Sequence, residues 1–150
     1  MPDCRPEGFA MAELKVRTRV TGATATLQPG GLPSITTPTG GAVDVVTGVS
    51  APGFNPLDLL YASLAACMVL SARIAASRLG VAAALGEVRA EVSGEKAKDE
   101  PSRVERLNIR LDISGDLDAA TKQRIVEDAE AICTVSNTLR AAPQLHTTLA

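Results

Sequence analysis

Aromatic side chains are nearly missing from this sequence: 150 residues hold two Phe, one Tyr and no Trp. A surface that stacks on nucleic-acid bases needs such rings, and phosphate binding needs a clustered excess of Lys and Arg. With 15 basic against 17 acidic residues and a net charge of −2, nucleic acid is not an expected partner. Histidine occurs once, as His146, and the three cysteines, Cys4, Cys67 and Cys133, show neither C-x-x-C nor C-x-x-H spacing. No metal site is therefore expected. The start, M-P-D-C-R-P-E-G, lacks the basic region and apolar core of a secretory signal, so the expectation is a cytoplasmic chain whose cysteines are thiols. Any disulfide formed there would be transient and catalytic rather than structural.

Ala, Val and Leu must fill the interior instead. A chain of 150 residues is about one domain, here 1–150, and buries ~70% of its unfolded surface, enough for a core without staples. Its central stretch runs from Asn55 to Gly80. Asn55 is a good N-cap, Pro56 sits where its missing donor costs nothing, and Gly80 supplies a left-handed stop, which predicts a helix over 56–79. Residues 59–72, an uncharged run of 14, leave no polar face, so the helix should be buried on every side. A membrane span needs ~20 such residues; the expected setting is a soluble core. Cys67 lies in its middle, and on the helix alone a buried cysteine packs as a small hydrophobe. A second cysteine, Cys133 in A-I-C-T-V-S-N at the close of another apolar helix, makes the two a pair.

The remaining pattern places these helices among strands. Residues 12–20 alternate strictly, with Arg17 and Arg19 on the polar face, and turn signals at Q-P-G-G and T-P-T-G-G divide further short strands. A β-meander over 12–46 results. Alternating Val88, Ala90, Val92 and then Leu107, Ile109, Leu111, Ile113 predict a hairpin over 86–113, its charged connection a solvated tip. A second helix over 117–133 is capped by Asp116 or Asp118, and T-V-S-N should bend the chain. A terminal strand is expected over 144–149, with His146 on its outward side. The whole is α+β, two antiparallel sheets with two central helices, and a helix without a polar face points to an intimate homodimer.

These stretches resemble the OsmC family, the group that includes the organic hydroperoxide resistance (Ohr) proteins. The resemblance covers nearly the whole chain: the meander, N-P-L-D-L-L-Y-A-S-L-A-A-C, the hairpin ending in S-G-D-L, and I-C-T-V-S-N-T-L. It implies an intertwined two-fold dimer in which each subunit lends its meander to the other. It also implies a thiol peroxidase: Cys67 matches the peroxidatic cysteine and Cys133 the resolving one, with no resident cofactor and an external dithiol as reductant. An apolar pocket of Leu57, Leu60, Leu64 and Met68 would favour a small hydrophobic hydroperoxide, since a hydrocarbon tail gains ~0.8 kcal/mol per buried CH₂. No role falls to Cys4.

In the Ohr pattern an Arg from the N-terminal hairpin, held by a Glu ten residues before the cysteine, activates the thiol; here Thr24 and Leu57 stand at those positions. Cys67 also lies too deep in its own helix to feel that helix's N-terminus. Arg17 and Arg19 are the remaining candidates for an activating cation. Without one, Cys67 should titrate above the free-cysteine value of ~8.5. Beside the peroxidase stands a second expectation, a non-catalytic dimer whose apolar cleft binds a small hydrophobic ligand or whose thiols sense oxidation.

Overall fold

The structure, a computed structural model, describes residues 20–48 and 50–150. Cys4, Arg17, Arg19 and all but the last residue of the expected strand over 12–20 lie outside them. In packing, the chain divides into two compact units, Met1–Val45 and Val46–Ala150. In the first, β1 (Thr24–Thr26), β2 (Ser34–Thr36) and β3 (Ala42–Asp44) form an antiparallel sheet in that order, with Ala25, Ile35 and Val43 in register. The turn after β2 is closed by the Gly41 N–H donating to Thr37 Oγ1 at 2.9 Å. This is the described part of the expected meander.

The second unit is built on α1 (Pro56–Arg78). Its start is a reciprocal cap: the Asp58 N–H donates to Asn55 Oδ1 and the Asn55 N–H to Asp58 Oδ2, both at 3.0 Å, satisfying two donors that the first turn leaves open. Its end is a Schellman motif. The Val81 N–H reaches the Ala76 carbonyl and the Gly80 N–H the Ser77 carbonyl, a geometry that needs the left-handed φ of 73° at Gly80. A short 3₁₀ turn (Ala82–Ala84) leads into β4 (Leu85–Lys96), which pairs antiparallel with β5 (Val104–Gly115).

The hairpin register sets Val88 against Ile113, Ala90 against Leu111 and Val92 against Ile109, so one face is apolar and packs on the core. On the other face Arg89 stands opposite Asp112, Glu91 opposite Arg110 and Glu95 opposite Arg106. Opposite charges across a ladder favour this register over a slipped one. At Gly94 a side chain would collide with the Tyr61 ring and hydroxyl; the glycine lets α1 lie close to β4. α2 (Ala119–Ile132), capped by Asp118 Oδ1 accepting from the Thr121 N–H at 2.7 Å, and α3 (Thr134–Ala141) complete the unit.

The core is the α1 face of Leu64, Met68, Ser71, Ala72, Ala75 and Ala76 set against Ile125, Ala129 and Cys133. Small side chains at the contact bring the helix axes close. All-round burial of α1 is not found within one chain: Leu70 is 50% and Ile74 43% exposed. At 23 residues α1 is long and apolar enough by length and composition to cross a membrane, more than its uncharged run implied, but it packs against β4, α2 and α3. Residues 143–150, which alternation assigned to a terminal strand over 144–149, have no regular secondary structure. Leu145 and Leu149 are fully or almost fully exposed, so no neighbour reads that alternation.

Because the reciprocal cap stands at the head of the helix that carries the core, Asn55→Ala should lower stability by about 1 kcal/mol. Urea unfolding should show a lower midpoint with an unchanged slope.

Candidate functional site

The joint between α2 and α3 is a single residue, Cys133. Its backbone leaves the helical region (φ −63°, ψ 107°), yet its N–H still closes the last turn of α2 on the Ala129 carbonyl at 2.9 Å. Its carbonyl accepts from the Asn137 N–H at 3.0 Å, the first turn of α3, and its sulfur accepts from the Ser136 N–H at 3.4 Å. One fully buried cysteine therefore ends one helix and caps the next. The β-branched pair Thr134 and Val135 follows directly, which is why the break falls here.

Cys67 comes to this joint from the middle of α1 and packs, half-buried, on the core that holds Cys133. Both thiols are free. The groups that bear on the ionisation of Cys67 are the Cys133 thiol, the Val135 N–H, the Ser71 hydroxyl and the Thr134 N–H. Burial pushes the Cys67 thiol up, but those hydrogen bonds together outweigh it and bring it below the ordinary cysteine value. Cys133 goes the other way. Burial raises it, the hydrogen bond and charge of Cys67 raise it further, and the N–H groups of Ser136 and Val135 offset only part. The two directions are thus opposed, lowered for Cys67 and raised for Cys133.

The physical source of this asymmetry is the start of α3. The first N–H groups of a helix have no partner inside it and mark its positive end. Here the Ser136 N–H donates to the Cys133 sulfur, and hydrogen bonding from Val135 and Thr134 lowers Cys67. The expectation that Cys67 would titrate above a free cysteine is therefore reversed. It took account of the N-terminus of α1, which is remote, and of a missing arginine, but not of the N-terminus of a different helix.

A cavity of about 400 Å³ is walled in part by Leu64 and Ser136, but neither Cys67 nor Cys133 lines it. Leu60 and Leu64 of α1, Leu107 and Ile109 of β5, and Ser136 and Leu139 of α3 form its walls, with the exposed Arg106 and Arg140 also lining it. Each arginine has an acidic partner, Glu95 at 3.5 Å for Arg106 and Glu130 for Arg140. Leu64 stands three residues before Cys67 and Ser136 three after Cys133, so the inner wall and the dithiol share the same turns of helix.

Of the expected pocket residues, then, Leu60 and Leu64 line this cavity. Met68 does not: it is 2% exposed in the core and borders a smaller hollow with Ile109 and Leu111. Leu57, 39% exposed, does not line the cavity either, because the first turn of α1 carries it to the surface. The walls from β5 and α3 were not anticipated as such. Strand alternation already put Leu107 and Ile109 on an apolar face, but nothing local says what that face looks onto. Among the described residues no three of His, Cys, Asp and Glu cluster as they would to hold a metal ion.

Comparison with known proteins adds the following. The family model described as OsmC-like protein matches residues 48–148. An OsmC-like protein of Mycoplasma pneumoniae superposes with a TM-score of 0.70 at 18% identity, over 83% of this chain and 89% of that one. The organic hydroperoxide resistance protein OhrB of Bacillus subtilis gives 0.58 at 25% identity, over 81% and 91%. An organic hydroperoxide resistance protein from Legionella pneumophila gives 0.65 at 22%, over 83% and 91%. A search of curated protein sequences finds no match.

The opposed shifts of the two thiols predict opposed reactivity. In the reduced protein, alkylation of Cys67 by iodoacetamide should reach half its maximal rate below pH ~8.5, the free-cysteine value. For Cys133 the half-maximal point should lie above it. The rates, followed peptide by peptide from acid to alkaline pH, would show equal midpoints if the asymmetry were absent.

Proposed function

The chain belongs to the family of OsmC-like proteins, and from that premise we propose that it is a thiol-dependent peroxidase that reduces organic hydroperoxides. The observation that carries the proposal is the unequal pair, a lowered Cys67 beside a raised Cys133, each three residues from a side chain, Leu64 or Ser136, that lines a largely apolar cavity. A thiolate is the form that attacks an O–O bond. In this reading the Cys67 sulfur takes the outer oxygen of ROOH and becomes a sulfenic acid, while the inner oxygen leaves with its bonding pair and is protonated to the alcohol. The Cys133 thiol then attacks the Cys67 sulfenic sulfur, giving a disulfide and water. An external dithiol returns two electrons and two protons by exchange.

The raised value of Cys133 suits the second role, since a thiol that keeps its proton does not compete for peroxide but still has the proton that leaves as water. The name of the Bacillus subtilis relative, at 25% identity, supports the same substrate class. Neither step calls for a resident cofactor. A reducing cytoplasm is the matching compartment, because the resting pair is a dithiol.

A homodimer belongs to the same proposal. The outward face of α1 leaves Leu70 and Ile74 about half exposed, with Arg73 the one charge between Asp58 and Arg78, fewer charges than a solvated helix face carries. The three-residue strands of the N-terminal sheet are largely exposed as well, and so thin a sheet needs an apolar face to pack on. A second copy of the chain would cover both, and no membrane or nucleic acid is invoked.

Two measurements test this reading. After one equivalent of cumene hydroperoxide the protein should lose two hydrogens and yield a linked Cys67–Cys133 peptide. Cys67→Ser should abolish peroxide consumption, and Cys133→Ser should allow one turnover and leave Cys67 as a trappable sulfenic acid. Unchanged thiols after peroxide would instead favour a binding dimer. For the assembly, the melting temperature should rise with protein concentration, as mass action requires; a monomer with full helicity at micromolar concentration would end the dimer claim.

A further inference from the structure

We propose that the Ser136 hydroxyl is a ligand-binding group of the cavity: it holds the oxygen end of a small apolar hydroperoxide, or of the alcohol left by its reduction, next to Cys133. Ser136 is 4% exposed and lines the cavity with Leu60, Leu64, Leu107, Ile109 and Leu139. Among the described residues its hydroxyl is in no hydrogen bond, whereas that of Thr138 on the same helix donates to the Thr134 carbonyl at 2.8 Å. Yet no buried side-chain oxygen among those residues lacks a partner. The little surface that Ser136 keeps is therefore at its oxygen, and the cavity is what that oxygen faces. A hydroxyl among apolar side chains costs free energy until it is bonded.

What would bond it follows from the rest of the wall. The other polar side chains that line the cavity, Glu105, Arg106 and Arg140, are exposed, and the two arginines are already paired with Glu95 and Glu130. Ser136 is the one buried polar residue of the lining. A pocket of this kind holds a ligand's apolar body by burial and fixes its orientation with a few placed polar groups. The matching ligand has a hydrocarbon body for the leucines and one uncharged oxygen function at a single end. The backbone fixes where that end lies. The Ser136 N–H donates to the Cys133 sulfur at 3.4 Å, so one residue addresses the sulfur with its N–H and the cavity with its hydroxyl.

The inference deepens the peroxidase reading and rests on it only for the hydroperoxide itself; binding of the alcohol is measured without any turnover. The reduced full-length protein, Ser136→Ala and Ser136→Thr are titrated by NMR with 2-phenyl-2-propanol, the alcohol that cumene hydroperoxide leaves, and with cumene, the same hydrocarbon without oxygen. Ser136→Ala removes one oxygen at a cavity wall and keeps the N–H that bonds Cys133, so the fold is not at stake. The parent should bind the alcohol more tightly than cumene, and Ser136→Ala should lose about five- to tenfold in affinity for the alcohol with cumene unchanged. Ser136→Thr, which keeps the hydroxyl, should stay near the parent. In cumene hydroperoxide consumption the alanine variant should show KM raised by a similar factor and the pH midpoint of Cys67 alkylation unmoved. Equal affinity of the parent for alcohol and cumene, binding of neither, an unchanged alanine variant, or an equal loss in Ser136→Thr each overturns the proposal. If the alcohol is held through Ser136 but no form of the protein consumes peroxide, the subsite stands and the peroxidase reading fails.

Discussion

The chemistry of this chain depends on one backbone event, the departure of Cys133 from helical geometry. Had α2 run on through Thr134, its last carbonyls and the first N–H groups of α3 would have bonded to each other and faced nothing. The break at ψ 107° instead leaves the first N–H groups of α3 open beside the two cysteines, and that of Ser136 donates to the Cys133 sulfur. It is maintained from both sides. Ala129 takes the Cys133 N–H, Asn137 gives its N–H to the Cys133 carbonyl, and the Asn137 side chain donates back to the Ala131 carbonyl at 3.0 Å. A helix terminus inside a core is costly unless its open groups are paired; here the sulfurs are part of that pairing.

The position of Cys67 is then a matter of how close α1 can come. Ala72, Ala75 and Ala76 on α1 and Ala129 on α2 are all fully buried, and with larger residues there the helix axes would stand further apart and the first turn of α3 would lose its reach to Cys67. Gly94 does the same on the hairpin side by making room for Tyr61. The small residues that give this sequence its alanine-rich look are thus one cause of the lowered Cys67 thiol.

What could be read in the sequence, and what could not, divides along the same line. The cap of Asn55, the stop at Gly80 and the hairpin are local or nearest-neighbour features, and the structure has them as expected. The bend at T-V-S-N was also visible, since β-branched and cap-forming residues cluster there. Its consequence was not, because Cys67 and Val135 are far apart in the chain and no periodicity links a thiol to the N–H groups of a helix elsewhere in the sequence. Two other expectations depend on a neighbour. The alternation of Leu145, Thr147 and Leu149 needs a partner strand, and among the described residues it has none. The apolar outer face of α1 needs cover, and within one chain Leu70 and Ile74 stay half open.

The asymmetry of the two thiols also bears on why the pair would react in one order. Had both sulfurs been equally exposed to the donors of α3, each would hold part of the negative charge and either could attack a peroxide. Cys133 is instead the more deeply buried and lies next to the charge that Cys67 acquires, so ionising both would set two like charges together in the core. The proton therefore stays on Cys133 until Cys67 has lost its charge. On the proposed chemistry, oxidation of Cys67 to a neutral sulfenic acid would remove that repulsion, while the N–H groups of Ser136 and Val135 still act on Cys133. On the proposed chemistry the first step thereby makes the second thiol easier to ionise at the moment when it is required as the nucleophile, without any movement of the chain.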